Sequence, residues 1–186
     1  MTSQSKTLTI AAISGSLRAA SVNSAVLRAA ARLAPADVTI RLLDDVRALP
    51  LFNPDEDNEA VAQSVQAFRR HLVDADGVLI ACPEYAHGVP GAMKNALDWV
   101  VGSGELVNKP TMLLNAAPRA SIAQASLLET LTVMTAMLIA DTSISLPITI
   151  KNITEAQILE DAAVCDALRN ALQVLVTAMR AVRAEN

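Results

Sequence analysis

The feature that most constrains this chain is its alternation. Short, mostly apolar runs are separated by longer stretches with helical periodicity. Residues 8–14 form the first run, which ends in Ser-Gly-Ser, and residues 77–82, with Val78-Leu79-Ile80-Ala81, form another. Runs without polar alternation fit strands covered on both faces, as in parallel sheets. Further runs at 38–43, 111–115 and 143–146 bring the expected strands to five. Between them lie helix-like stretches at 23–33, 60–73, 90–101 and 122–140. A last one runs from about 155 to 183, with Thr154 as N-cap and Gln157 in the capping-box position. Pro90 suits a helix start, and residues 54–57 read as an acidic turn.

Strands alternating with helices imply a parallel sheet with helices on both faces. Five strands favour the flavodoxin-like three-layer α/β sandwich, order 2-1-3-4-5, with residues 1–186 as a single domain. Ligands in such sheets bind outside the carboxyl ends of the strands, near the switch between strands 1 and 3. The loops to examine are therefore 14–23, 82–91 and 115–121.

Composition narrows the function classes. Of 186 residues, 52% are hydrophobic and 18% charged, which suits a folded core rather than disorder. The net charge is -4 with no basic stripe, so nucleic acid is not an expected partner. The two cysteines, Cys82 and Cys165, are too few for a disulfide framework and suit a reducing compartment. The apolar stretch 8–13 is short for a signal segment, and no uninterrupted apolar run reaches the ~18 residues of a membrane span. The expectation is a cytoplasmic protein with no membrane partner.

The first loop reads Ser14-Gly15-Ser16-Leu17-Arg18-Ala19-Ala20-Ser21-Val22-Asn23. Backbone amides at a helix start favour an anion, and Arg18 adds a fork suited to phosphate. The loop has neither the G-x-G-x-x-G of dinucleotide folds nor a Walker lysine. An ordinary polar turn with helix caps is the alternative. The second loop reads Cys82-Pro83-Glu84-Tyr85-Ala86-His87-Gly88-Val89-Pro90-Gly91. Its prolines and glycines make it stiff and tightly turned. It is either a platform along a flat ring or a structural turn with a solvated His87. Cys82 reads as buried, with a redox role the alternative. Cys165 and Trp99 read as core, and Lys94 and Asp98, four apart, as a helical ion pair.

Together these loops resemble the NADPH-dependent FMN reductase family of quinone, chromate and azo-dye reductases. The resemblance is carried by Gly15-Ser16-Leu17-Arg18 with Ser21 and Asn23, by Pro83-Glu84-Tyr85 with Val89-Pro90-Gly91, and by Lys94-Asn95-Ala96-Leu97-Asp98-Trp99. It implies FMN as cofactor and NADPH or NADH as electron donor. It also implies a small-molecule acceptor, ping-pong kinetics, and no catalytic side chain or metal. By resemblance, Ser16, Arg18, Ser21 and Asn23 hold the FMN phosphate, and Leu17, Ala19, Ala20 and Val22 between them are cofactor-binding. Glu84, Tyr85, Ala86 and His87 line the isoalloxazine, with the Ala86 amide a candidate donor to its N5, and Pro83 and Gly88 beside them are cofactor-binding. The chain departs from the family at Ala86, where Asn is common, and in the third loop, where Ala117 and Arg119 take the place of a Gly- or Ser-rich stretch. Arg119 either meets negative charge on cofactor or donor, or is solvated. Rival readings are a flavodoxin-type electron carrier and a phosphate-ester hydrolase; the second lacks a nucleophile with a paired base. The apolar content of 122–140 further suggests that this helix and 90–101 cover a homodimer or homotetramer interface.

Overall fold

The computed structural model describes residues 7–117, 121–139 and 143–185. In chain order its elements are β1 (Leu8–Ser14), α1 (Val22–Leu33), β2 (Val38–Leu42), α2 (Gln63–Val73), β3 (Gly77–Ala81), α3 (Gly91–Val101), β4 (Pro110–Asn115), α4 (Ile122–Val133), β5 (Met137–Leu138), β6 (Ile144–Ser145), α5 (Glu155–Glu160) and α6 (Ala162–Glu185). Two 3-10 turns, Asp44–Ala48 and Pro54–Glu56, fill the connection from β2 to α2.

The sheet is parallel, in the order β2-β1-β3-β4-β5. β6 also pairs with β4: Met137 and Leu138 lie beside Pro110 and Thr111, whereas Ile144 and Ser145 lie beside Leu114 and Asn115. The fifth position of the flavodoxin-like order is thus filled by two short pieces at different heights along β4.

Successive strand residues feed opposite cores, as the period of two demands. Ile10, Ala12, Leu79, Met112 and Leu114 pack with α1, α5 and α6. Ala11, Ile13, Val78, Ile80 and Leu113 pack with α2, α3 and α4. The mostly apolar runs are explained by these two covered faces. Among the described residues, α6 is the one helix long and apolar enough to cross a membrane. It lies on the sheet, burying Val164, Leu168, Leu172, Leu175 and Met179 and exposing Asp166, Arg169, Gln173 and Arg180.

Two boundaries correct the sequence reading. The expected helix over 122–140 stops at Val133, and 137–138 are strand. The stop is a Schellman turn, with Thr135 N–H on the Thr132 carbonyl at 2.9 Å and Ala136 N–H on that of Leu131 at 3.0 Å. Thr135 takes the left-handed position at φ 59°, where glycine is usual, so the sequence carries no stop signal. The last helix is two helices. Asp161 breaks it in an extended conformation and caps α6, its Oδ1 accepting from Val164 N at 3.1 Å. The capping box of Thr154 and Gln157 forms as expected.

Candidate functional site

At the carboxyl edge, loop 14–21 leaves β1 and crosses directly against the end of β3. Gly15 N donates to the Ala81 carbonyl at 2.9 Å. A Cβ on Gly15 would lie 2.6 Å from Cys82 Sγ and 3.2 Å from both Cys82 Cα and Pro83 Cδ. The two motif loops therefore touch at a point where only glycine fits without displacement.

Serines organise the first loop. Ser14 Oγ accepts from Ser16 N at 3.2 Å and from Ser24 Oγ at 2.9 Å, and Ser21 caps α1 by accepting from Ser24 N at 3.3 Å. Arg18 N reaches Ser16 Oγ at 3.4 Å, and Arg47 donates from the far side to the Leu17 carbonyl. Leu17, Arg18, Ala19 and Ala20 are exposed, whereas Ser16, Ser21 and Asn23 are buried.

The loop stands between two cavities. On the β2 side, Ser16, Leu17, Arg18 and Ala19 line a space of about 180 Å³ with Arg28 and Arg47. On the β4 side, Val22, Asn23, Ala116 and Ala117 line one of about 620 Å³, closed by residues 148–152. The predicted phosphate residues are thus divided between the two sides of the loop. The 148–152 wall and Arg47 were missed from sequence, where neither carries a motif.

In the second loop, Tyr85 and Gly88 pair across a tight turn, with Tyr85 N–Gly88 O at 3.1 Å and Gly88 N–Tyr85 O at 2.9 Å. The central residues, Ala86 and His87, have φ 49° and 60°. Positive φ at both centres defines a type I′ turn, which favours Asn and Gly. The amides of Ala86 and His87 have no partner among the described residues. Tyr85, Ala86 and His87 are exposed.

The Glu84 side chain turns away from the turn tip. Its Oε2 accepts from Ala123 N at the start of α4, at 2.9 Å, and its Oε1 lies 3.2 Å from His87 Nδ1. The Ala123 amide, aided by His87, holds the carboxyl below the usual range against a partial desolvation cost. The expectation that Glu84 lines a ring is therefore replaced, for its carboxylate, by a tie between two loops. Burial pushes the Cys82 thiol up to about 12, so it stays protonated and unreactive. Gln124 donates to the Cys82 carbonyl at 2.9 Å, while its buried Oε1 has no partner among the described residues.

In the third loop, Asn115 Oδ1 accepts from Ala117 N at 2.9 Å, turning the chain, and Ala117 is exposed. Arg119 lies outside the described residues. The motif on α3 is structural. Asn95 Nδ2 and Trp99 Nε1 both donate to the Pro50 carbonyl, at 2.9 and 2.8 Å, and Asn95 Oδ1 accepts from Phe52 N at 2.8 Å. Phe52 meets Trp99 edge-on at 5.1 Å. Lys94 and Asp98 pair as expected.

The donor set suits a phosphate-bearing cofactor. The first amides of α1 are orphan donors by construction, and the helix start carries partial positive charge. Asn23 is 9% exposed, has no side-chain partner among the described residues, and lines the larger cavity. Arg18 likewise has none and is exposed.

The family model of the NADPH-dependent FMN reductases matches residues 8–149, and the chain belongs to that family. It is 44% identical over 92 residues to a 2-hydroxy-1,4-benzoquinone reductase of a Burkholderia species, across 50% of this chain and 49% of that one. It is 35% identical over 112 residues to a quinone reductase of Escherichia coli K12, across 59% of this chain and 60% of the relative. The chain thus aligns with about half to three-fifths of these curated relatives. Among solved structures it is similar to FerB, a flavoenzyme NAD(P)H:(acceptor) oxidoreductase of Paracoccus denitrificans, with a TM-score of 0.77 at 25% identity, covering 94% of this chain and 98% of that one.

Proposed function

We propose that the protein is an FMN-dependent oxidoreductase that takes electrons from NADPH or NADH and passes them to a small acceptor, a quinone before free flavin, chromate or an azo compound. The observation that carries the reading is the junction of the two motif loops, Gly15 against Cys82 and Pro83, at the edge where this sheet order places ligands. The phosphate falls to Ser16–Asn23 in this reading, with the uncapped amides at the start of α1 as donors and the unpartnered Arg18 and Asn23 on the two sides of the loop. The ring falls to the Tyr85–Gly88 turn, whose free Ala86 and His87 amides offer donors to a planar edge. When bound, FMN supplies the two-electron chemistry, and the protein supplies binding, orientation and electrostatics.

The names of the relatives favour a quinone as acceptor. One exposed ring face serving donor and acceptor in turn gives ping-pong kinetics. The same reading takes the working form as a homodimer or homotetramer. It places the protein in the cytoplasm, where two free, buried cysteines are at home.

The test is reconstitution with FMN followed by initial rates of NADPH oxidation at several benzoquinone concentrations. Parallel double-reciprocal lines are expected, and intersecting lines defeat the shared site. A flavin-loaded protein that NADPH and NADH both fail to reduce is an electron carrier instead.

A further inference from the structure

Quinone reduction by NADPH consumes a proton that the nicotinamide does not carry. In NADPH + H⁺ + quinone → NADP⁺ + hydroquinone, the hydride equivalent accounts for both electrons and one hydrogen. The second oxygen of the hydroquinone takes its proton from elsewhere. Near neutral pH an imidazole is the side chain suited to give it.

The chain has two histidines, and one of them, His87, stands at the tip of the second loop. Its side chain is 77% exposed, and its Nδ1 lies 3.2 Å from Glu84 Oε1. Glu84 is only 14% exposed, and its other oxygen is fixed at 2.9 Å by the Ala123 amide. A carboxylate fixed in this way is an acceptor for Nδ1–H, a contact that stays in place when the ring gives up a proton from Nε2. Nε2, on the opposite edge of the ring, has no partner among the described residues. No other charged or titratable side chain, whether from α3, α4 or the neighbouring Tyr85, is bonded to this imidazole among those residues. The backbone at His87 is left-handed, φ 60°.

We propose that His87 is the proton donor to the reduced quinone oxygen, oriented by Glu84 as a positioning residue. This rests on the oxidoreductase reading above. The Nε2–H bond breaks as the quinone O–H bond forms, and water then reprotonates Nε2. Glu84 keeps its charge throughout.

The experiment compares a benzoquinone, which needs the proton, with ferricyanide, which takes one electron and none. His87→Asn suits the left-handed backbone and keeps the turn; Glu84→Gln keeps an acceptor for Ala123. FMN affinity of each apoprotein is measured by flavin fluorescence, so that cofactor loss is separated from chemistry. For His87→Asn the ratio of benzoquinone to ferricyanide turnover is expected to fall roughly 10²-fold. Glu84→Gln is expected to lower the ratio by a smaller factor. A ratio within about twofold of wild type in His87→Asn, at full FMN occupancy, overturns the assignment. Wild-type protein that oxidises NADPH with neither acceptor overturns the underlying reading instead.

Discussion

Glu84 and Ala123, 39 residues apart, are joined by a hydrogen bond of 2.9 Å that makes one loop the cap of another element's helix. Ser121, in the N-cap position of α4, has helical backbone angles and makes no side-chain cap. Glu84 supplies the missing acceptor. Replacing it with Ala should fray α4 and lower Tm, whereas Gln should retain much of the cap. The pH dependence has a definite sign. The Ala123 amide, foremost, holds the folded-state pKa below its ordinary value. The contribution is therefore complete above the unfolded pKa and is lost as pH falls through the folded one. The stability gap between wild type and Glu84→Gln should narrow as pH falls below the ordinary glutamate value of about 4.3. Urea unfolding at pH 7 and below pH 4 measures it, and an unchanged Glu84→Ala midpoint at pH 7 refutes the cap.

Ala86 occupies a left-handed position, φ 49°, that suits Asn or Gly. Asn is common there in the family, and its side chain tolerates this conformation. Ala86→Asn should therefore raise stability by about 0.5–1 kcal/mol, read as a higher urea midpoint at constant m-value. A lower midpoint means that the turn does not hold both central residues at positive φ.

Gly15→Ala should do the opposite. The new methyl meets Cys82 Sγ at 2.6 Å and backbone at 3.2 Å, and neither neighbour is the free end of a long side chain. Overpacking of this kind costs about 1–3 kcal/mol. The loops must part to relieve it, so FMN affinity should fall together with Tm. A variant as stable as wild type with unchanged FMN affinity shows that the junction does not shape the site.

Arg18 is the cation of the first loop and has no partner among the described residues. Arg18→Ala should weaken FMN binding by about 1.5–3 kcal/mol, the worth of a charge-assisted contact. Riboflavin lacks the phosphate and should bind both proteins alike. Equal losses for the two flavins, followed by fluorescence titration, would remove Arg18 from the phosphate.

What the sequence makes legible is what repeats or lies close along the chain. The apolar runs of β1, β3 and β4 announce strands covered on both sides, and Thr154 with Gln157 announces a capping box. The stop at Thr135 is made by a residue that carries no such signal, and the helix cap that Asp161 offers was read through inside an otherwise helical pattern. The site divides in the same way. Loops 14–23 and 82–91 are visible as motifs. The roles of Glu84 toward Ala123, and of Asn95 and Trp99 toward Pro50, depend on contacts 39, 45 and 49 residues apart. The first of these was taken for a ring contact, and the second motif proves to anchor the connection from β2 to α2.

The apolar surface left for the proposed assembly is smaller than the content of 122–140 suggested. Met137, Leu138 and Ile139 leave the helix for the sheet edge, and the outer face of α4 includes Ser126, Glu129 and Thr132. What remains exposed on α3 and α4 is Val101 at 51%, Ile122 at 50% and Val133 at 71%. Leu97, Val101, Val133 and Met134 line a groove of about 340 Å³ between the two helices, edged by Lys94, Asp98 and Glu129. The exposed apolar side chains beside this groove are the surface on which the proposed assembly would rest, and a twofold axis is the commonest symmetry of homo-oligomers. Sedimentation at micromolar concentration should therefore give at least twice the chain mass of 19.6 kDa. Val133→Glu sets a charge on this patch and should shift the protein towards monomer without lowering the stability of the single chain, because Val133 is exposed there. A wild-type monomer at micromolar concentration excludes the interface. A Val133→Glu protein that stays dimeric places it on another face.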